Sequence, residues 1–133
     1  MTPQDGLVYA MVLVSAADRN MTDLELERLR GLVDRLPIFR RYSQTKLADA
    51  AEACAKTLSG KNGLDRTLAA IGKGVPKRLA TTAYALACDI AAAEGTVKIE
   101  EMQLLDLLAD ALSINRLEQE AIHFAAGARY RKG

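Results

Sequence analysis

Residues 8–38 align with residues 84–114 without a gap, at an offset of 76, and eight of the 31 positions are identical; unrelated sequences would share about two. The identical pairs are Ala16/Ala92, Ala17/Ala93, Glu25/Glu101, Leu29/Leu105, Leu32/Leu108, Asp34/Asp110, Leu36/Leu112 and Ile38/Ile114, and most others keep apolar character, as Val14/Ile90 does. Each copy reads as a helix, an acidic loop and a helix. A helical hairpin of this size cannot bury its apolar face alone. The copies are therefore expected to pack on each other about a local pseudo-twofold axis, with the first and fifth helices central. The 133 residues suit a single domain over 1–133 around one core.

Apolar residues recur at three- and four-residue steps almost everywhere, and two-residue alternation is missing. The class is all-α, a compact bundle of about seven helices. Thr2-Pro3 can open the first, with Leu7, Val8, Met11, Val12 and Val14 filling two adjoining faces. Thr22 and Glu25 form a capping box for the second, with an apolar stripe of Leu26, Leu29, Val33 and Leu36. Pro37 ends it, and Ser43 caps a third helix running to Ser59, lined by Leu47, Ala51, Cys54 and Leu58. A short fourth carries Leu64, Leu68 and Ile71 and is expected to break at Gly72-Lys-Gly74. Pro76 begins a fifth that is apolar nearly all round, the pattern of a helix surrounded by others. The sixth presents Met102, Leu105, Leu108 and Leu112. Asn115 and Glu118 cap a seventh whose stripe is Leu117, Ala121, Phe124 and Ala128, and residues 129–133 are expected to fray.

Eighteen Lys and Arg against seventeen Asp and Glu leave no global field to attract nucleic acid or an anionic membrane. A charged partner must therefore meet a local patch. Cys54 and Cys88 stand far apart among alanines, which suits small buried apolar residues better than a disulfide framework or zinc site. With no basic, apolar leader and no run of about 18 apolar residues, the expectation is a cytoplasmic chain without a transmembrane segment.

The loops of the two copies concentrate oxygen donors. Asp18, Asn20, Thr22 and Glu25 line the first, and Glu94, Thr96 and Glu101 the second. Such spacing from a loop into a helix start suits hard cations such as calcium or magnesium, although neither loop is an EF-hand. Asp18, Glu25, Glu94 and Glu101 are the candidate ligands. Lys98 occupies the position of Thr22 in the second copy and would repel a cation, which favours the first loop. The alternative is that Glu25 and Glu101 simply cap helices and meet their positive dipole ends. Both readings stand at this level.

An alanine-rich helix, an acidic-Gly turn and a Glu just inside the next helix, occurring twice, resembles the TerB-like tellurite-resistance family over most of the chain. Ala93-Glu-Gly95 through Glu101 is close to that pattern, whereas Ala17-Asp-Arg19 lacks the glycine. The resemblance implies a seven-helix pseudo-symmetric fold, an acidic patch suspected of binding a divalent cation, and a part in tellurite resistance and related stress responses. Similar modules precede J-domains in membrane-linked co-chaperones, which implies protein partners, some of them membrane-associated, and a peripheral position at the inner membrane face. No nucleophile–base pair or cofactor motif is visible, so a non-enzymatic role is expected.

Four further features invite a site. Asp89, alone in the most apolar helix, needs a partner or a solvent opening; a helix start or a basic residue would serve, and a contribution to the acidic patch is the alternative. Gly72-Lys-Gly-Val-Pro-Lys-Arg78 gathers amides and cations but lacks the Gly-Lys-Ser/Thr ending of a phosphate loop. His123 is the only histidine, and reads as packed at a helix surface. The cations at 129–132 read as a solvated tail.

Overall fold

Pro3 needs no N–H at the first position of a helix, and the Thr2 hydroxyl accepts from the Asp5 N–H at 3.2 Å while Asp5 Oδ2 accepts from the Thr2 N–H at 3.1 Å. This box starts the first of the helices seen in a computed structural model that describes residues 1–16, 21–93 and 97–133. Among those residues the order is α1 (Pro3–Ser15), α2 (Asp23–Arg35), α3 (Gln44–Ser59), α4 (Gly63–Gly74), α5 (Ala80–Ala91), α6 (Ile99–Ala111) and α7 (Arg116–Arg129). The fold is all-α. The expected caps Thr22, Ser43 and Asn115 each accept from the N–H three residues on.

The α1 and α5 helices form the centre and pack on each other more extensively than any other pair. Leu7, Val8, Ala10, Met11 and Val14 on α1, and Ala83, Tyr84, Ala87 and Ile90 on α5, are fully buried. Each large apolar side chain removed from water in this way stabilises the fold by about 1.5–3 kcal/mol. The alanines of α5 let the helices approach closely. The α3, α4 and α6 helices cover α1, whereas α2, α6 and α7 cover α5.

The bounds of α2 and α6 are offset by 76 residues at both ends, and each leans on the first helix of the other copy, α2 on α5 and α6 on α1. The copies part after these helices, for a reason visible in one aligned pair. Ser113 adopts φ 57°, donates its N–H to Asp110 O, and lets the Ile114 N–H reach Ala109 O. This is a Schellman ending. Its counterpart Pro37 has no N–H to donate and a φ fixed near −65°, so the chain instead forms a 3-10 turn over Pro37–Phe39.

Three expectations require correction. The α4 helix runs through Gly72 and Gly74 instead of breaking there, because a Cβ at 72 would crowd Ala111 O at 3.1 Å: this glycine serves close packing against α6. A 3-10 turn over Lys77–Leu79 separates Pro76 from α5. The inner face of α4 is Gly63, Thr67 and Ile71, while Leu64 is exposed; the Thr67 hydroxyl tolerates burial by donating to Gly63 O at 2.7 Å.

Because Ser113 holds a left-handed conformation that glycine adopts without a Cβ clash, Ser113→Gly is expected to stabilise the protein by roughly 0.5–1 kcal/mol. The check is a higher denaturant midpoint at unchanged slope; a lower midpoint would contradict the assigned ending.

Candidate functional site

The two loop-edge glutamates stand in closely matching local settings. At the start of α2 the Thr22 N–H donates to Glu25 Oε1 at 3.0 Å, and at the start of α6 the Lys98 N–H donates to Glu101 Oε1 at 3.1 Å. Both residues are buried, at 6% and 3% exposure, and their charges lie in the first turn, where the helix dipole favours them. Lys98, whose ammonium only donates, replaces the acceptor hydroxyl of Thr22. The other two candidate ligands, Asp18 and Glu94, lie outside the described residues, as do Asn20 and Thr96. Among the described residues no three His, Cys, Asp or Glu side chains gather as a metal group. Carboxylate oxygens are nevertheless the donors a hard cation takes, so Glu25 and Glu101 fit one in kind, each with one oxygen held by a backbone amide.

A second set of polar contacts joins α5 to α7. Arg129 donates to Asp89 Oδ1 at 2.5 Å, and the Tyr84 hydroxyl and His123 Nε2 share a hydrogen bond of 2.6 Å. The hydrogen bond to Asp89 raises the Arg129 pKa further, so the guanidinium stays charged. Arg28 of α2 lies 4.2 Å over the Tyr130 ring, a cation–π contact. The segment expected to fray is thus anchored at Arg129 and Tyr130. Burial pushes the Cys54 and Cys88 thiols up to about 12, so both are weak nucleophiles at neutral pH. Burial likewise raises the Tyr84 phenol.

The family model of tellurite resistance protein TerB matches residues 4–123, spanning every helix start from Gln4 onward and both loops. The chain belongs to the TerB family. No curated protein and no solved structure matches it significantly. In TerB terms, the matched region contains α2 to α6 entire and reaches His123 within α7.

Sequence reasoning located Glu25 from capping spacing and Glu101 from the alignment, and gave a basic residue as one of the ways Asp89 could be satisfied, without identifying Arg129. It assigned the wrong face to α7. Leu117, Ala121, Phe124 and Ala128 point to solvent, with Leu117 79% and Phe124 78% exposed, and Ala126 is buried instead. Periodicity finds an apolar stripe but does not say which stripe is covered; here His123 and Arg129 anchor the opposite face. The signal available was the polar set itself, since a buried Tyr84 and Asp89 both require partners.

Removing the Asp89 partner leaves a mostly buried carboxylate without its guanidinium. Arg129→Met is therefore expected to cost about 1–2 kcal/mol, discounted because half of Arg129 is exposed. Chemical denaturation checks this, and a loss below about 0.3 kcal/mol would mean that the pair does not hold α7.

Proposed function

We propose that this TerB-family chain acts in tellurite resistance or a related stress response as a non-enzymatic module that binds other proteins, some of them at the inner membrane face. The observation that carries the reading is the α7 surface. Leu117, Ala121, Phe124 and Ala128 follow a 4-3-4 spacing, the seam by which helices dock on helices, and its two large residues are almost as exposed as free side chains. Scattered exposed apolar residues are ordinary, but a continuous stripe marks an interaction face. The partner is expected to offer an amphipathic helix. The reactive side chains support a binding role, since both thiols are buried and Tyr84, His123, Asp89 and Arg129 are committed to one another. No described helix is long and apolar enough to cross a membrane, so contact with one would pass through partners or surface charge.

A photo-crosslinker placed at Ala121 should trap one recurrent protein in the native cell. Leu117→Ser with Phe124→Ser should abolish that adduct without lowering the melting temperature, because neither side chain is buried. Adducts that persist in the double variant would refute the docking face.

A second reading rests on the matched burial of Glu25 and Glu101 at the edges of two related loops. We infer that the two loops form an acidic patch in which Asp18, Glu25, Glu94 and Glu101 hold calcium or magnesium. Glu25→Gln with Glu101→Gln discriminates between the roles, because glutamine keeps the capping hydrogen bond but removes the charge. Calorimetric titration of metal-stripped protein should show binding that the double variant weakens at least about tenfold, with stability nearly unchanged. Equal binding by both proteins, or none below about 1 mM, would leave the glutamates as caps alone.

A further inference from the structure

Residues of the first halves of α1 and α3 and of the turn between α2 and α3 line a cavity of about 600 Å³, a size suited to a small organic ligand. Its lining carries three exposed cations, Arg40, Arg41 and Lys46, together with Tyr9, Tyr42, Ala50 and Ala53. None of the three cations forms an ion pair among the described residues. Two carboxylates, Asp5 and Asp49, also line the space. Asp5 is already occupied: it accepts from the Tyr42 hydroxyl at 2.7 Å and from the Thr2 N–H at 3.1 Å. Burial pushes its pKa up, but these hydrogen bonds outweigh that and leave it lowered. Asp49 is exposed and lies one turn beyond Lys46 on α3.

The backbone fixes the turn that carries the two arginines. Phe39 is buried and stacks obliquely on Tyr42, with ring centroids 5.5 Å apart, and the Tyr42 N–H donates to Phe39 O at 2.9 Å. Between these anchors Arg41 is forced to φ 68°, a conformation unfavourable for any residue with a Cβ. Local stability alone would place glycine or asparagine there. Arg40 and Arg41 sit side by side in the cavity lining, where neither forms an ion pair among the described residues, and the turn closed by the Tyr42 N–H on Phe39 O sets the positive φ of Arg41.

We propose that this groove binds a small organic anion, whose carboxylate or phosphate is held by Arg40, Arg41 and Lys46 while an apolar or aromatic body lies along Tyr9, Ala50 and Ala53. Guanidinium groups suit such oxyanions because they bind two oxygens at once. The inference is independent of the α7 docking face, which involves none of these residues.

Phenyl phosphate is the probe, followed by calorimetry and by amide shifts in NMR spectra. Binding in roughly the micromolar to millimolar range is expected, with the largest shifts at Tyr9, Arg41, Tyr42 and Lys46. Arg40→Ala with Arg41→Gly should weaken it at least about tenfold. Since glycine relaxes the strained turn, Arg41→Gly alone should hold or raise the melting temperature while reducing affinity, which separates lost binding from lost folding. A free metabolite and a lipid headgroup share this chemistry. Phenyl phosphate binding without sedimentation on phosphatidylglycerol vesicles identifies a soluble ligand, and sedimentation abolished by Arg41→Gly identifies a lipid. No binding up to about 10 mM, or binding indifferent to both substitutions, overturns the site; inorganic phosphate binding as tightly as phenyl phosphate overturns the apolar half.

Discussion

Contact between α1 and α5 sets the terms for the rest of the chain. Each is apolar on almost every face, so neither can meet water, and one partner helix cannot cover the other. The remaining helices are a shell around that pair, and their amphipathic stripes are used to close it. Polar groups caught inside must then be satisfied individually. Ser15 donates to Met11 O, Asp89 accepts from Arg129, and among the described residues no buried side-chain nitrogen or oxygen is left without a partner. An orphaned group here would cost about 1–3 kcal/mol, a large part of the net stability of such a domain.

What was legible in the sequence follows the range of each interaction. Capping boxes connect residues three apart, so Thr22–Glu25 and the start of α2 could be read directly, and Glu101 followed by alignment. Pro37 likewise marked the end of α2, although the 3-10 turn over Pro37–Phe39 and the Schellman ending at Ser113 were not read from the sequence. Asp89 announced a need for a partner or a solvent opening, but its partner lies 40 residues on, and nothing in the spacing pointed to Arg129. Gly72 misled because a glycine that permits close packing looks the same in sequence as one that ends a helix. The face of α7 misled because a stripe of Leu, Ala, Phe and Ala reads as core wherever it occurs. The groove between α1 and α3 was invisible, since its lining comes from segments far apart in sequence and from a turn at Arg41.

The repeat also explains where the two halves stopped being equivalent. Pro37 and Ser113 occupy the same aligned position, and their backbone chemistry sends the chain in different ways. In the first half the 3-10 turn carries it through Phe39, Arg40 and Arg41 before α3; in the second the left-handed Ser113 leads straight into α7. Both following helices return to cover a central helix, α3 on α1 and α7 on α5. They do so with different means. The α3 helix buries Leu47, Ala50 and Cys54, whereas α7 buries only Ala126 fully, packs Ile122 partly against the core and adds hydrogen bonds and an ion pair.

That difference bears on function more than the capping residues do. A helix held by apolar burial has spent its stripe on the core and presents charge outward. A helix held by Tyr84–His123 and Asp89–Arg129 keeps its apolar stripe free, and water is a poor neighbour for Leu117 and Phe124. The same difference between the halves places Arg40 and Arg41, which form no ion pair among the described residues, beside the groove of the first half. The two surfaces proposed as sites therefore trace to one aligned position, Pro37 in the first half and Ser113 in the second, two residues beyond the ends of α2 and α6, whose ability to donate an N–H decides how the chain leaves the helix.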